Sequence, residues 1–408
     1  MDLAIYPRRL KGSITPPPSK SQAHRAIICA ALAEGDSLIL NLQLSEDIHA
    51  TLNCMRALGA DAAEHGGIVI GSNARQGKFQ KLPLLNCCES GSTLRFLIPL
   101  ALVVAGGGIF TGRGRLMHRP QKPYRDLFEE RGIRFERKGE NLIVEGKLEP
   151  GVFRLPGNIS SQFITGLLFS LPLLEGDSEI VLTTELESAG YIESTIVAME
   201  LFHVHVKRTE TGWYIPGNQH YRAAKEPVVV DADYSQAAFY YVANGLGNDI
   251  EICDMNPSTC QGDKAIVQYA ALLDRPGEVT IDVSQCPDLV PALAVRAALR
   301  DGEITNIVGA ARLRIKESDR LDTVSTELNK LGGHVEQKPD ALVIRGVSQF
   351  HGAVVNSHND HRIAMMLAVG ATRSTERIIL QDAGSVAKSY PGFWEHYFRL
   401  GGSFSIWD

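Results

Sequence analysis

The chain has 408 residues, 44% of them hydrophobic and 22% charged, with a formal net charge of -6 at pH 7. This length exceeds the size at which one hydrophobic core keeps growing, so we expect two domains of a globular enzyme. The acidic net charge argues against a general nucleic-acid binder, and any local basic cluster would suit a small anionic ligand.

The first predicted helix starts within residues 16–27, PPPSKSQAHRAI. Prolines fit just before a helix, and a serine N-cap accepts the unpaired amide protons of its first turn. Ser21 and Arg25, four residues apart, share one face of this helix. Lys20, Arg25 and the positive end of the helix dipole then suit an anion such as phosphate. A capped surface helix with two solvated charges is the alternative for this segment alone.

A second helix start is predicted at residues 89–93, ESGST, before an apolar helix over 94–104. Gly91 lets a ligand approach the backbone more closely than a larger residue would, and the hydroxyl groups add donors. A Ser/Gly-rich turn without a ligand is the common alternative. Arg119 follows the basic run 113–118, which either belongs to the same anion site or forms a solvated loop.

Two later segments join a helix start to amide or charged side chains. Residues 160–162, SSQ, begin a third helix, and Gln162 supplies a donor and an acceptor suited to a hydroxylated ligand, unless the serines are a simple cap. Lys316, Glu317 and Arg320 lie around a predicted strand-to-helix junction, where cations can hold an anion and a carboxylic acid can transfer a proton. A solvated strand edge is the other interpretation of this charged run.

Similar helix starts recur roughly every 70 residues, a period long enough for two helices and several strands. They lie near Lys20, Gly91, Ser161, Tyr234, Asp288 and Asp360, with one shorter step between Tyr234 and Asp288. We therefore predict six units, the one after Asp263 truncated, rather than a chance likeness among amphipathic helices.

A second signal runs in phase with these starts: a helix that ends near glycine, then two strands. It appears in the segments 52–71, 127–146 and 327–346, where Gly59, Gly132 and Gly332 are expected to take the left-handed backbone of a helix C-cap. A further copy, 198–217, has His203 at the glycine position and fits less well.

The repeat predicts two domains of three units each. We expect an N-terminal domain of residues 19–228 and a C-terminal domain of residues 1–18 with 229–408. The strand before Pro16 has no unit of its own and would complete the second domain. The two crossings, near 16–18 and 227–231, would form one hinge that closes an open form of the protein around its ligands.

The cysteines and apolar segments indicate a cytoplasmic protein. Seven cysteines, among them the adjacent Cys87 and Cys88, show no CxxC spacing, which favours a reducing compartment and gives no zinc site. The longest apolar run, 96–110, is broken by Pro99 and is shorter than the roughly 20 residues that span a bilayer. A strand-like segment at 3–6 leaves no room for a signal or transit peptide.

Taken in order, seven motifs resemble the 5-enolpyruvylshikimate-3-phosphate synthase family over about residues 16–391. They are PPPSKSQAHRA, ESGSTLR, RP at Arg119, SSQF at Ser160, KESDRL at Lys316, NDHR at Asn359 and AKSYP at Ala387. The resemblance implies an α/β enolpyruvyl transferase fold: two similar domains, each of three βαβαββ units around a pseudo-threefold axis. It also implies the shikimate-pathway step towards chorismate and aromatic amino acids, in which phosphoenolpyruvate and shikimate 3-phosphate give the enolpyruvyl product and phosphate.

The resemblance also assigns site residues. Shikimate 3-phosphate would contact Lys20, Ser21, Arg25, Ser160, Ser161, Gln162, Ser188, Tyr191, Asp288 and Lys316. Phosphoenolpyruvate, and the family's inhibitor glyphosate in its place, would lie among Lys20, Gly91, Arg119, Gln162, Arg320, Arg362 and Lys388. Asp288 would accept the proton of the 5-hydroxyl group, and Glu317 would protonate the methylene carbon. We expect a monomer with no metal, organic cofactor, nucleic-acid partner or membrane partner.

Four positions depart from the family pattern, which puts their fine contacts in doubt: Pro18, Glu89, Phe96 and Arg312. UDP-N-acetylglucosamine enolpyruvyl transferases share the fold, but they carry a cysteine loop that segment 106–120 lacks. A non-catalytic anion-binding or nucleic-acid-binding repeat protein would explain the basic helix starts, but not the carboxyl groups of Asp288 and Glu317 beside them.

Overall fold

The computed structural model describes residues 1–64, 68–71, 74 and 79–407. The chain divides into two compact units, and each is described by itself below. The N-terminal unit is Pro18–Asp231, and the C-terminal unit is Met1–Pro17 with Ala232–Asp408.

Two strands at the start of the chain belong to the C-terminal unit: β1 (Asp2–Tyr6) and β2 (Lys11–Ile14). The N-terminal unit then contains three successive groups of helices and strands. The first group is α1 (Lys20–Leu32), β3 (Ser37–Leu40), α2 (Glu46–Ala57), β4 (Asp61–Glu64) and β5 (Ile68–Gly71). The second is β6 (Leu84–Asn86), α3 (Gly91–Ala105), β7 (Gly107–Thr111), α4 (Lys122–Glu129), β8 (Arg134–Lys138) and β9 (Asn141–Glu145). The third is β10 (Val152–Leu155), α5 (Ser161–Ser170), β11 (Ser178–Leu182), α6 (Ala189–Leu201), β12 (Lys207–Arg208) and β13 (Gly212–Ile215), followed by β14 (Val228–Val229).

The three sheets of this unit share one topology. Their strand orders are β6-β7-β9-β8, β10-β11-β13-β12 and β14-β3-β5-β4. In each sheet the first strand runs parallel to the second, and an antiparallel hairpin completes the sheet. The first group begins with a helix, and β14 supplies its missing first strand from the far end of the unit.

The C-terminal unit also contains three groups of helices and strands, but its first and third groups differ from those of the N-terminal unit. Its first group is α7 (Tyr234–Gly245), β15 (Asp249–Ile252) and α8 (Ile266–Leu273). The second is β16 (Val279–Asp282), α9 (Val290–Ala298), β17 (Ile304–Val308), α10 (Arg320–Lys330), β18 (His334–Gln337) and β19 (Leu342–Arg345). The third is β20 (Val354–Asn356), α11 (His361–Ala371), β21 (Ile378–Gln381), α12 (Phe393–Arg399) and β22 (Ser403–Trp407). Short 3-10 helices cover Leu116–His118, Leu171–Leu173, Gly262–Ala265, Pro287–Leu289, Ala311–Ile315 and Ala383–Lys388.

Its sheets have the orders β15-β2, β16-β17-β19-β18 and β20-β21-β1-β22. The truncation predicted after Asp263 is present in the first group, where α8 is followed directly by β16 of the next group, and β2 pairs with β15. The prediction of a single N-terminal strand before Pro16 is wrong in its count, since β1 and β2 enter different sheets of this unit.

The turns that close the repeated helices have the predicted backbone. Gly59, Gly132 and Gly332 have φ angles of 92°, 68° and 89°. His203 has a φ of 65°, which is uncommon for a residue with a side chain. It therefore takes the same turn that glycine makes in the other copies. Residues 65–67 of the first predicted segment lie outside the described residues.

Several helices are buried on all sides, as in the interior of a large fold. In α11 every residue from His361 to Ala371 is buried, and α3 is buried from Thr93 to Leu102. Each buried leucine, isoleucine or phenylalanine side chain stabilises the unit by about 1.5–3 kcal/mol. The charged residues at the N-terminal ends of these helices are therefore buried too. No helix among the described residues is both long and apolar enough to cross a membrane.

Candidate active site

The start of α1 is built as the sequence predicts. Ser19 is the N-cap, and its hydroxyl oxygen accepts a hydrogen bond from the Gln22 amide at 3.4 Å. The Lys20 ammonium group lies 2.7 Å from a carboxylate oxygen of Asp47 at the start of α2. This ion pair fixes the lysine beside the unpaired amides of the first turn.

Arg25 joins α1 to α6. Its guanidinium group is almost wholly buried and donates to the Ser21 carbonyl and hydroxyl oxygens at 2.7 and 2.9 Å. It also donates to the Tyr191 carbonyl at 2.9 Å and to the Thr195 hydroxyl at 2.8 Å. The Phe96 ring, at one of the positions that depart from the family, lies 5.2 Å from the guanidinium carbon. The structure thus brings Ser21, Arg25 and Tyr191 together.

A second set of contacts surrounds Gly91 at the start of α3. A methyl group added at Gly91 would lie 2.7 Å from Arg119 Nη1 and 3.5 Å from the Gln162 amide oxygen. Arg95 Nη1 donates to that same oxygen at 2.9 Å, and Gln162 Nε2 donates to the Ser92 hydroxyl at 3.0 Å. The predicted residues Gly91, Arg119 and Gln162 therefore line one spot.

The remaining predicted serines of this unit lie at helix starts. The Ser160 hydroxyl caps α5 by accepting from the Gln162 amide at 3.3 Å, and Arg95 Nη1 lies 3.5 Å from it. Ser161 follows in the first turn of α5 and is buried. Ser188 precedes α6 with a φ of 58°, a conformation that non-glycine residues hold only when their surroundings enforce it.

The C-terminal unit contains a compact ionic cluster around Asp288, which lies in the 3-10 helix before α9. Its carboxylate oxygens lie 2.9 Å from Arg320 Nη1, 3.2 Å from Lys316 Nζ and 3.3 Å from Arg362 Nη2. Arg320 Nη2 lies 2.8 Å from a carboxylate oxygen of Glu317. Three predicted cations, Lys316, Arg320 and Arg362, thus meet at the carboxylate of Asp288.

Asp360 completes this cluster. Its carboxylate is fully buried, lies 2.8 Å from Arg320 Nε and caps α11 by accepting from the Arg362 amide at 3.0 Å. The Ser318 hydroxyl donates to it at 2.9 Å. One arginine therefore forms ion pairs with three carboxyl groups, those of Asp288, Glu317 and Asp360.

The charges of the cluster decide the protonation state of its members. Burial opposes the ionisation of Asp288, but the cations of Lys316, Arg362 and Arg320 outweigh it and hold the pKa of Asp288 well below its ordinary value. Burial lowers the pKa of Lys316, an effect that the nearby carboxylates partly offset. For Arg320 the carboxylates outweigh burial and raise its pKa, so it stays charged. Asp288 is accordingly ionised at neutral pH.

Arg362 and Lys388 form the last part of the cluster. Arg362 Nη1 also donates to the main-chain carbonyl of Asp288 at 3.2 Å. Lys388, at the end of the 3-10 helix 383–388, donates to the carbonyl oxygen of Asn359 at 2.5 Å. Both side chains are about 5% exposed. Two cations are thus held at the start of α11 by main-chain carbonyl groups.

Sequence reasoning did not select three charged residues that complete these clusters: Asp47, Arg95 and Asp360. Arg95 lies four residues after Gly91, so the helical period could have placed it on the same face. Asp360 lies directly before a helix, the position that favours an N-cap carboxylate. Asp47 has no comparable signal, because its contact with Lys20 joins two separate helices. No group of three or more histidine, cysteine, aspartate or glutamate side chains in the described part of the chain could hold a metal ion.

Comparison with known proteins gives a consistent result across the whole chain. The family model of EPSP synthase (3-phosphoshikimate 1-carboxyvinyltransferase) matches residues 6–397. A 3-phosphoshikimate 1-carboxyvinyltransferase of Clostridium perfringens is 46% identical over 417 residues, covering 98% of each chain. One of Clostridioides difficile is 44% identical, covering 100% of this chain and 99% of the relative.

Solved structures show the same likeness in the fold. The EPSP synthase of Acinetobacter baumannii superimposes with a TM-score of 0.80 at 23% identity, over 99% of this chain and 100% of the other. The enolpyruvyl transferase NikO of Streptomyces tendae gives 0.78 at 18% identity, over 99% and 98%.

Proposed function

The chain belongs to the EPSP synthase family, and from that premise we propose that the cluster around Asp288 and the helix starts around Lys20 and Gly91 bind and convert one pair of substrates. The enolpyruvyl transferase fold predicted from the sequence is confirmed. The activity is that of a 3-phosphoshikimate 1-carboxyvinyltransferase of the shikimate pathway, and its substrates are phosphoenolpyruvate and shikimate 3-phosphate.

We propose that the first set of side chains binds shikimate 3-phosphate. It comprises Lys20, Ser21, Arg25, Ser160, Ser161, Gln162, Ser188, Tyr191, Asp288 and Lys316. The contacts of Arg25 with the Ser21 hydroxyl group and the Tyr191 main-chain carbonyl support this assignment, because they place a cation and a hydroxyl group beside the unpaired amides of α1. A phosphate with three acceptor oxygens suits such a group of donors.

The second set would bind phosphoenolpyruvate, whose phosphate and carboxylate groups need several cations. It comprises Lys20, Gly91, Arg119, Gln162, Arg320, Arg362 and Lys388. The lack of a side chain at Gly91 supports this assignment, because it lets the Arg119 guanidinium group lie directly against the start of α3, where a β-carbon would be 2.7 Å from Nη1.

A single observation carries the mechanism: the ionised carboxylate of Asp288 lies among three cations, and one of these, Arg320, also contacts Glu317. Addition forms a bond between the 5-oxygen of shikimate 3-phosphate and C2 of phosphoenolpyruvate. The hydroxyl group loses its proton to the Asp288 carboxylate, and Glu317, in its carboxylic acid form, gives a proton to the methylene carbon. Elimination then breaks the C2–O bond to phosphate, which leaves with the proton held by Asp288. The methyl carbon returns a proton to the Glu317 carboxylate, so the double bond of the enol ether forms and both carboxyl groups regain their starting states.

Without bound substrate, the three cations around Asp288 keep its pKa low, so its carboxylate is a weak base. Bound phosphoenolpyruvate brings negative charge to Arg320 and Arg362, which offsets part of their field at Asp288. The proton affinity of Asp288 therefore rises when substrate binds, which ties proton removal to a filled site.

A coupled assay of phosphate release tests the proposed function. Phosphate should appear when both substrates are present and not with either one alone. UDP-N-acetylglucosamine in place of shikimate 3-phosphate should give no phosphate. Release that does not depend on shikimate 3-phosphate would overturn the proposal.

Replacing Arg119 by alanine is expected to weaken phosphoenolpyruvate binding. The loss should be about 2–5 kcal/mol, the range for removing one partner of a buried charged contact. Equilibrium binding of each substrate to the variant measures the effect. Arg125→Ala is the control, because that arginine is exposed on the nearby helix α4. An unchanged dissociation constant for phosphoenolpyruvate would remove Arg119 from its assigned role.

We expect the enzyme to be inhibited by glyphosate, in competition with phosphoenolpyruvate and only when shikimate 3-phosphate is bound. Gly91→Ala should raise the inhibition constant markedly, because the added methyl group would lie 2.7 Å from Arg119 Nη1 and displace that flexible side chain. Inhibition constants of both proteins at several phosphoenolpyruvate concentrations provide the measurement. If the native enzyme keeps full activity at glyphosate concentrations far above its KM for phosphoenolpyruvate, the argument from Gly91 fails. Glu89 and Phe96 would then be implicated as determinants of the resistance.

We further propose that the two chain crossings form the hinge of two domains, 19–228 and 1–18 with 229–408. Hydrogen bonds from the Ser19 amide to the Asp231 carbonyl at 2.7 Å and from the Asp233 amide to the Pro17 carbonyl at 2.8 Å support this. Because both sets of cations would serve the same ligands, shikimate 3-phosphate should make the protein more compact. Small-angle scattering that shows no compaction at saturating ligand would count against closure.

We also propose a monomer located in the cytoplasm. All seven cysteines lie in the described part of the chain and are thiols rather than disulfides, which supports a reducing compartment. Light scattering of the purified protein tests the oligomeric state, and a dimer mass would contradict the first part of this proposal.

A further inference from the structure

Residues 356–360, which precede α11, have a strained main chain. His358 and Asn359 have φ angles of 53° and 56°, two consecutive non-glycine residues in the left-handed region. Such a conformation persists only where surrounding contacts enforce it. The segment leads directly into Asp360 and Arg362, and its Asn359 carbonyl accepts the hydrogen bond of Lys388.

Glu327 on α10 supplies the contacts that hold this segment. Its side chain is fully buried, and one carboxylate oxygen accepts from the Asn356 main-chain amide at 2.9 Å. The other oxygen lies 2.7 Å from His358 Nε2 and 2.8 Å from Lys330 Nζ. A buried carboxylate with this many donors is held in one place, and it holds the donors in turn.

Two side chains of helix α10 contact the segment. Arg320 begins the helix, and its guanidinium group binds Asp360. Glu327 lies seven residues later, two turns along the same face, and binds the other end of the segment. The segment is therefore fixed at Asn356 and at Asp360, with the strained pair between them.

The same segment is tied to the 3-10 helix that carries Lys388. The Ser357 hydroxyl donates to the Asp382 carbonyl at 2.8 Å and to its carboxylate at 2.9 Å. The Ser385 hydroxyl donates to the Ser357 oxygen at 3.1 Å. A shift of the segment would therefore move the Asn359 carbonyl and the Lys388 side chain together.

We propose that Glu327 is a positioning residue for the reaction: through Asn356 and His358 it sets the places of Arg362 and Lys388. This inference rests on the proposed function of those two cations in binding phosphoenolpyruvate. Glu327 itself acts through the segment and touches no substrate in this role.

The test compares isosteric variants by steady-state kinetics with each substrate varied in turn. In Glu327→Gln, an amide nitrogen replaces a carboxylate oxygen that accepted a hydrogen bond from the segment. That hydrogen bond is lost, so the segment is held by fewer contacts. A misplacement of a binding group by about 1 Å can lower activity about a hundredfold. Because only part of the support is lost, the KM for phosphoenolpyruvate should rise about tenfold. The KM for shikimate 3-phosphate should change far less, which a general loss of stability would not produce.

His358→Asn provides a second variant that does not disturb the core. Asparagine tolerates the left-handed backbone, so the strain is retained, but its side chain is too short to reach Glu327. The KM for phosphoenolpyruvate should rise, and the double variant should show less than the product of the two single effects because both act through one contact.

Glu303→Gln is the matched control. Its carboxylate accepts from a loop amide, that of Gly277, at 2.7 Å in the same unit, but it has no contact with residues 356–362 among those described. Its KM values should equal those of the native protein.

Arg362→Lys distinguishes a failure of the proposed phosphoenolpyruvate site from a failure of the positioning role of Glu327. If it leaves the KM for phosphoenolpyruvate unchanged, the assignment of Arg362 fails and the role of Glu327 fails with it. If Arg362→Lys raises this KM while Glu327→Gln and His358→Asn do not, the proposed function stands and the positioning role of Glu327 is overturned. Equal rises in both KM values would also overturn it.

Discussion

Replacing Glu317 by glutamine is expected to lower turnover by about 10²–10⁴-fold, the usual contribution of a general acid, with modest changes in substrate binding. The amide keeps the shape of the side chain and an oxygen that can accept from Arg320 Nη2, which lies 2.8 Å from the native carboxylate. It cannot give the proton that the methylene carbon of phosphoenolpyruvate must receive.

The measurement combines steady-state turnover with calorimetric binding of each substrate to the Glu317→Gln variant. Glu336→Gln is the control, because that carboxylate is 65% exposed and pairs with Lys338. Turnover within a few-fold of the native value would remove Glu317 from its role as proton donor, since general acids contribute about a hundredfold or more.

Replacing Arg320 by methionine is expected to abolish activity and to lower the free energy of unfolding by about 3–5 kcal/mol at neutral pH, as for other broken buried ion pairs. The guanidinium group is 1% exposed and forms ion pairs with Asp360, Glu317 and Asp288. Methionine fills much of the volume but leaves these carboxylates without their shared cation.

The loss should depend on pH with a definite sign. In the native protein the pKa values of Asp288 and Asp360 are lowered, because the charges of neighbouring cations outweigh the effect of burial. Their stabilising contribution is present above the unfolded pKa, about 3.9, and is lost as pH falls through the lower folded pKa. Without Arg320, burial raises the pKa of Asp360, and the penalty of ionising it grows as pH rises through that raised value.

Chemical denaturation of the native protein and of Arg320→Met at pH 5 and pH 8 tests this sign. The difference in unfolding free energy should be larger at pH 8. Arg296→Met is the control, because its partner Asp274 is 60% exposed and should give no such dependence. An equal or larger difference at pH 5 would contradict the account of Asp360.

Local features of the fold could be predicted from the sequence because their causes lie within a few residues. The serines at 19, 90 and 160 cap the helices that follow them, and the glycines at 59, 132 and 332 take the expected left-handed turns. The repeat also located the units, since each copy carries its own signals. The resemblance supplied what these signals lack, the identity of the reaction.

Contacts between distant segments could not be predicted in this way. The sequence gives no pairing partner for β14, which lies about 190 residues from β3 along the chain. It places Arg320 and Asp360 at helix starts but does not say that they meet. The strained pair at His358 and Asn359 has no glycine to mark it, so its support by Glu327 becomes visible only in three dimensions.

The position of β1 between β21 and β22 has a consequence for synthesis on the ribosome. The N-terminal unit is one continuous segment, so it can fold as soon as residue 231 has left the exit tunnel. The sheet of β1 cannot form until β22, at residues 403–407, has been made. β1 must therefore remain unpaired until β21, at residues 378–381, has been made, accessible to a protease or to a chaperone, whereas β2 can pair once β15, at residues 249–252, has been made. Limited proteolysis of stalled nascent chains would then cut within β1 at every length short of β21, while the N-terminal unit stays intact.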